Sequence, residues 1–473
     1  MKTRFLFSIL IIATSLSKNS HAQTGIDDYQ ESIERFIEGY NNQQYRTVKK
    51  SFGFLAKIFA TKKSIMGNYL SPRYAKYGKI LKLEEPVKAG ERTYVFPIIY
   101  EKDSTIPEYL ALSFTKNHKI ISLYYSPDNI IYPRIDSTVN LVDLVEPYKS
   151  FKDHKHLQLS IGIYNNGTST FYAFNGDSAS HLPTDSTLYQ IGSVTKLFTG
   201  ILYANSINNN HVDSTAVLSK YIGEKITYKE KEANLTQLAQ HTSGLPREPN
   251  NLDLTITDAH NPFSNYTNAD LDSFLKTARL NTAPGNTYAY SNTGMGLLAY
   301  ILSSVRESTF EKLLQQEICT PLKMGETTTS PDTTLLSQTV KSYYRGTPTS
   351  DFTFQEPLIG AGGIYSSTRD MLKFIEANIT PDSTSISNDL ILAQTPRKVD
   401  KFITLGYAWE ISSITISGEL IEVFEHSGNT LGASSILFLS KKKNIGIIVM
   451  ANSGIPVDEL GTKIFMGLLK KHL

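Results

Sequence analysis

Tyr189-Gln190-Ile191-Gly192-Ser193-Val194-Thr195-Lys196-Leu197-Phe198-Thr199-Gly200 sets a serine and a lysine three residues apart where a helix is predicted to begin. At that spacing the two side chains share one helix face. A serine hydroxyl is a poor nucleophile until a neighbour takes its proton, and a partly desolvated lysine can act as that base. The helix N-terminus adds a dipole that favours developing negative charge. The pair alone is a weak signal, since Ser440-Lys441-Lys442-Lys443 matches it too and reads as a solvated hairpin turn with no helix to seat the serine. The surroundings of Ser193 make the difference.

Downstream lie Leu235-Thr236-Gln237-Leu238-Ala239-Gln240-His241-Thr242-Ser243-Gly244-Leu245-Pro246, then Tyr288-Ala289-Tyr290-Ser291-Asn292-Thr293-Gly294, and then His426-Ser427-Gly428 just before the last predicted hairpin. Gly360-Ala361-Gly362-Gly363-Ile364-Tyr365-Ser366-Ser367-Thr368-Arg369-Asp370 and Leu405-Gly406-Tyr407-Ala408-Trp409 fall between them. These ordered segments resemble the serine β-lactamase and penicillin-binding-protein superfamily, and within it the class C branch with its DD-carboxypeptidase, D-aminopeptidase and esterase relatives. The resemblance covers roughly residues 149–473. It implies an α+β fold, an antiparallel sheet flanked by helices with a helical lobe.

The resemblance also implies roles. Ser193 would be the acylated nucleophile, Lys196 its partner, and Tyr290 a general acid/base for the leaving group, while Asn292 would orient the substrate amide and Lys196. The oxyanion would sit between the backbone N–H groups of Ser193 and Asn429 on an edge strand, with Gly428 letting substrate lie close to that strand. A phenol is a poor base at neutral pH, so Tyr290 would need positive charge from Lys196 or a proton shared with it. The residues leave open which of the two deprotonates Ser193. His426 departs from the Lys-Thr-Gly usual in β-lactamases and matches the His-x-Gly of several DD-peptidases and aminopeptidases of the same branch, which argues against efficient β-lactam hydrolysis. Deacylation would fall to Tyr290, Lys196 or His426, since no glutamate of the class A type is recognisable.

Taken singly, several of these residues have plainer readings. Tyr290 could be a packing residue, Asn292 a helix cap and Trp409 either core or cleft wall, while Ser367 and Asp370 have cap spacing and His241 reads as a loop brace. His154-Lys155-His156 reads as exposed histidines, and no Gly-rich phosphate loop occurs. No cofactor and no metal are expected.

Strand signals at Leu157–Tyr164, Ser169–Asn175, Ala433–Leu439 and Ile445–Ala451, with a helix from Asp458 to Leu473, predict a sheet built from both ends of this domain. Ahead of it, Ile33, Phe36, Ile37 and Tyr40 lie at helical spacing, and β-rich runs follow at Arg92–Glu101, Glu108–Thr115 and Lys119–Tyr125. Helices followed by an antiparallel meander resemble the NTF2-like, cone-shaped accessory module. We assign it to residues 23–130, with a Pro-bearing linker at 131–148 and the hydrolase domain at 149–473.

With 473 residues, 40% hydrophobic and 19% charged, the chain is ordinary for a multidomain globular protein. A net charge of +2 and the lack of a Lys/Arg-dense helix face argue against nucleic acid as a partner. Lys2 and Arg4, the apolar run Phe5 to Ala13 and Ser20-His21-Ala22 read as a cleavable signal at residues 1–22, so a periplasmic or secreted protein is expected. The apolar run is too short to span a bilayer, and no transmembrane segment is expected. The single cysteine, Cys319, cannot form an internal disulfide and should be buried. The partner is then a small-molecule or peptide substrate, and oligomeric state is not readable.

Overall fold

The computed structural model describes residues 29–52, 70–126 and 156–471, apart from 84–86, 91–92, 103–107, 115–117, 177–181, 257, 259, 286, 345, 400–402 and 417. The chain forms two compact units whose main boundary falls near residue 136. The expected signal at 1–22 and linker at 131–148 lie outside the described residues.

In the first unit the helix Gln30–Asn41 buries Ile33, Phe36 and Tyr40, the face its spacing marks, and the helices Tyr45–Ser51 and Ser71–Tyr77 follow. The strands Thr93–Tyr100, Glu108–Phe114 and Ile120–Ser126 pair antiparallel in sequence order, and both Ile80–Leu83 and Val87–Gly90 pair with Thr93–Tyr100. Leu110, Leu112 and Phe114 alternate into the core, where Phe114 stacks on Tyr29 at 4.3 Å. The sequence-predicted strands are met within two residues at each end.

An eight-stranded sheet, all of it in the second unit except residues 414–420, runs in the order Arg397–Lys398, Thr404–Leu405, Glu410–Ile416, Glu419–Asn429, Ser434–Ser440, Ile445–Ala451, Gln158–Asn165, Thr168–Asn175. Antiparallel pairing from Ile445 with Asn165 to Ala451 with Leu159 joins the two ends of the domain, as the strand signals require. The helix Thr368–Ile379 packs on the strands Gln158–Asn165 and Ile445–Ala451, and the terminal helix Asp458–Lys471 packs on Ser434–Ser440 and Ile445–Ala451. Phe465 of that terminal helix stacks on Phe438 at 5.2 Å. A sheet covered on both faces explains why Ser434–Ser440 and Ile445–Ala451 read as continuous apolar runs rather than alternating ones.

Between the sheet-forming ends lies the helical lobe. The helix Thr195–Asn208 is buried along twelve of its fourteen residues, from Thr195 to Ser206, which is why it is apolar on all sides. Phe198 stacks on Phe374 at 4.4 Å, and Phe374 in turn faces Trp409 at 6.3 Å. Trp409 has no exposed surface and meets Phe424 edge-on at 6.1 Å, so it belongs to the core and not to a cleft wall. Each of these aromatic side chains contributes roughly 1.5–3 kcal/mol by its removal from water. Cys319 is buried as expected, and among the described residues no helix is long and apolar enough to cross a membrane.

Candidate active site

Gly192–Val194 forms a tight 3-10 turn that runs directly into the helix Thr195–Asn208, so Ser193 sits at the helix entrance and Lys196 in its first turn. Gly192 has φ +51, a left-handed conformation that favours glycine, and a Cβ there would lie 2.8 Å from Asn429 N. On the opposing strand a Cβ at Gly428 would lie 2.0 Å from Ile191 O and 3.0 Å from Ser193 N. The Ser435 hydroxyl, from the residue paired with Gly428, donates to Ile191 O at 2.8 Å and holds the turn in place. The backbone around Gly428 and Asn429 thereby lies directly against the turn that carries Ser193.

One expectation changes here. The strand Glu419–Asn429 lies inside the sheet rather than at its edge. Its neighbours are Glu410–Ile416 on one side and Ser434–Ser440 on the other, and its pairing with the latter runs from Phe424 with Leu439 to Asn429 with Ser434. Gly428, for its part, is required by the approach of its strand to the Ile191–Ser193 backbone, and its bare Cα faces that turn.

Lys196 is fully buried, its Nζ 2.9 Å from Ser193 Oγ and donating to Ala361 O at 2.6 Å. The Thr199 hydroxyl donates to Gly360 O, and Ile364 N–H donates to the Thr195 hydroxyl. The Gly360–Ile364 segment therefore acts as a carbonyl rail along the nucleophile helix. Burial holds the Lys196 ammonium well below the usual lysine range, Arg247 pushes the same way, and Glu248 opposes them. The lowered pKa shifts Lys196 toward the neutral amine, with its nitrogen held on Ser193 Oγ.

Tyr290 lies beside this pair, with Lys196 Nζ 4.9 Å and Arg247 Cζ 5.0 Å from its ring centre. Burial pushes its phenol up, against a hydrogen bond with Ser193 and the charge of Arg247, while Glu410 and Glu248 raise it further. Tyr290 is thus a protonated phenol at rest.

The motif around Tyr290 is fixed from both sides. The Ser291 hydroxyl caps the helix Asn292–Val305 by accepting from Gly294 N–H at 2.8 Å and donates to Pro246 O at 2.6 Å. Ser291 N–H donates to Nδ1 of His241, whose ring lies 4.4 Å from that of Tyr290. His241 is therefore a brace, as read, and a wall against the tyrosine as well. Burial holds it well below the usual histidine range, and its accepting Nδ1 places the proton on Nε2.

Asn292 does not bond to Lys196 among the described hydrogen bonds; its Nδ2 donates to Glu248 Oε1 at 2.7 Å. Glu248 and Arg247 were missed in the sequence, although they follow Pro246 directly, and Arg247 O accepts the N–H groups of Asn292 and Thr293. Chain adjacency to a recognised segment was the available signal. His426 is buried beside Tyr290 with ring centres 6.4 Å apart, and burial pushes it down to about 3. Its Nδ1 lies 2.7 Å from Ser427 O, which makes that nitrogen the donor and leaves Nε2 with a lone pair.

Sequence comparison now meets the geometry. The beta-lactamase family model matches residues 141–468, more than half of the chain. The chain belongs to the beta-lactamase family. Among its relatives, the D-alanyl-D-alanine-carboxypeptidase/endopeptidase AmpH of Escherichia coli strain K12 is 31% identical over 289 residues, covering 57% of this chain and 71% of AmpH. A beta-lactamase of Yersinia enterocolitica is 24% identical over 336 residues, covering 63% of this chain and 82% of the relative. The class C beta lactamase from Rhodobacter sphaeroides superposes with a TM-score of 0.58 at 20% identity, over 70% of this chain and 98% of that one, and shows the shared fold. This beta-lactamase-family protein is a serine hydrolase, and its site combines a buried amine on a serine with a protonated phenol.

Proposed function

We propose that the enzyme works through an acyl-enzyme on Ser193, with Lys196 as the base that starts the reaction and Tyr290 as the acid that completes it. The observation that carries this reading is the buried Lys196 amine 2.9 Å from Ser193 Oγ. As Oγ attacks an amide or ester carbonyl, its proton passes to the Lys196 lone pair and the Oγ–C bond forms. The resulting oxyanion takes hydrogen bonds from Ser193 N–H and Asn429 N–H. When the bond to the leaving group breaks, Tyr290 gives that group its proton, and the proton held by Lys196 restores the phenol. Water then follows the same path in reverse to release the acid.

The preferred substrates are D-amino-acid peptides, with β-lactams as reactive mimics of them. The name of the Escherichia coli relative supports this choice, as does the neutral imidazole of His426 in place of a lysine. A small carboxyl ester is the second enzymatic reading. A binding protein without turnover is the other class, and the intact Ser193–Lys196 geometry argues against it. Hydrolysis of a D-Ala-D-Ala peptide, a p-nitrophenyl ester and benzylpenicillin by the wild type, Ser193→Ala and Lys196→Ala separates these. Ser193-dependent turnover led by the peptide supports the proposal; binding of all three with no turnover contradicts it.

The same reading places the enzyme outside the cytoplasm after cleavage behind Ala22, with residues 23–130 as an NTF2-like accessory domain. Periplasmic material whose N-terminus begins at Gln23 is the expected result. Cytoplasmic retention of the full-length chain would overturn it.

A further inference from the structure

Two hydrogen-bond acceptors beside the nucleophile have no donor. Glu248 Oε1 takes the Nδ2 hydrogen of Asn292 at 2.7 Å. Burial pushes the Glu248 carboxyl up, against the Asn292 hydrogen bond and the charge of Arg247; in its ionised form it can only accept, so the Asn292 amide turns its Oδ1 away from it. That Oδ1 and Glu248 Oε2 are both shielded from solvent, and neither has a hydrogen-bond partner. Buried acceptors are ordinarily satisfied, so two of them side by side at a reaction centre point to a ligand that supplies the donors.

Count and charge define that ligand. A substrate amide N–H would satisfy one acceptor and leave the carboxylate charge uncompensated, whereas a primary ammonium brings three N–H donors and a positive charge. Lys196 cannot fill the place, because its nitrogen is committed to Ser193 and Ala361. Arg247 fills it only loosely: its Nε is 3.8 Å from Glu248 Oε1, beyond hydrogen-bond range, and its side chain is 62% exposed. An exposed pair of this kind is worth little, so Arg247 can turn into solvent when a ligand arrives. His426 adds a third acceptor, since its buried Nε2 carries a lone pair and has no partner.

We propose that Glu248 and Asn292 form a subsite for a primary ammonium group that the substrate carries close to its scissile carbonyl. The inference rests on the acyl-enzyme reading of Ser193 and narrows its substrates to amino-acid or peptide amides and esters with an unblocked amine. Arg247 is the side chain the ammonium displaces.

The test uses the full-length enzyme and two matched pairs, at a pH below the pKa of the amines. D-Alanine p-nitroanilide against its N-acetyl form puts the amine on the acyl side. The aminoethyl amide of N-acetyl-D-alanine against its propyl amide puts it on the leaving side. For at least one pair the wild type should prefer the amine by roughly tenfold or more in kcat/KM, expressed mainly in KM, and Glu248→Gln should bring the ratio close to one. Because the ratio compares substrates on one protein, a general loss of activity cancels, and fluorophosphonate labelling of Ser193 verifies that the variant is folded. Arg247→Ala removes the competing cation and should raise the same ratio. Ser193-dependent hydrolysis with no preference in either pair, or a preference that survives Glu248→Gln, overturns the subsite alone. No Ser193-dependent hydrolysis of any of the four substrates overturns the acyl-enzyme reading and the subsite with it.

Discussion

A Cβ on Gly428 would sit 2.0 Å from the carbonyl oxygen of Ile191, so the strand Glu419–Asn429 and the nucleophile turn meet along bare backbone. In the proposed mechanism this contact sets where Asn429 N–H stands relative to Ser193 N–H, and with it the width of the oxyanion pocket. Gly428→Ala must part the strand from the turn. The expected outcome is a fall in kcat of about 10²–10³ with a much smaller change in KM, read from steady-state kinetics beside a thermal melt. Unchanged kcat in a folded variant would show that the oxyanion does not bind there.

In the proposed mechanism Lys196 can act as a base only when neutral, and burial shifts its pKa down toward pH values where an exposed lysine is charged. Acylation should therefore rise with pH through the lowered pKa of Lys196 and level off above it, with the turning point below the usual lysine range. Lys196→Arg keeps a cation and removes the base, so kcat/KM should fall by about 10³ or more without alkaline recovery. Recovery at high pH would move the base role to Tyr290.

Tyr290 is held as a phenol by burial, which suits proton donation to a departing amine. A nitrophenolate leaves without that help. Tyr290→Phe should thus slow hydrolysis of a D-alanyl peptide by about 10²–10⁴ while slowing a p-nitrophenyl ester much less. Equal losses on both substrates would assign Tyr290 to deprotonating Ser193 instead.

Two buried carboxyls on neighbouring strands, Glu425 and Glu410, have folded pKa values that exceed their unfolded ones. Burial, with Glu410 and Asp458 close by, pushes Glu425 up to about 8, and Glu410 stands at about 7. A raised pKa means that the folded state binds more protons, so stability is full below the ordinary carboxyl range and lost as pH rises toward 8. Glu425→Gln should leave the melting temperature near wild type at pH 4 and raise it at pH 8.5, where the gain in folding free energy is on the order of a few kcal/mol. A melting difference that does not vary with pH would refute this.

Much of the fold was legible because its signals are local. Ile33, Phe36 and Tyr40 announce their helix, and Ile445–Ala451 carries an apolar run that only a doubly covered strand needs. Ser193, Lys196 and Tyr290 could be placed because ordered flanks surround them. What escaped was set by contacts between distant segments. The Ala361 carbonyl that anchors Lys196, the Glu248 carboxylate that turns Asn292, and the depth that lowers the pKa values of Lys196 and His426 have no periodicity or spacing to betray them. Gly428 was recognised as a residue, and the reason for it lay in the Ile191 backbone 237 positions away.

The central claim, a covalent acyl-enzyme on Ser193 primed by Lys196, is tested most directly by intact-protein mass after incubation with benzylpenicillin, alongside drug hydrolysis, with Ser193→Ala and Lys196→Ala as partners. The account predicts one adduct of penicilloyl mass on the Ser193 peptide of the wild type, none on Ser193→Ala, and greatly slowed formation on Lys196→Ala. An adduct that persists in Ser193→Ala, or one that forms at the wild-type rate without Lys196, would contradict it.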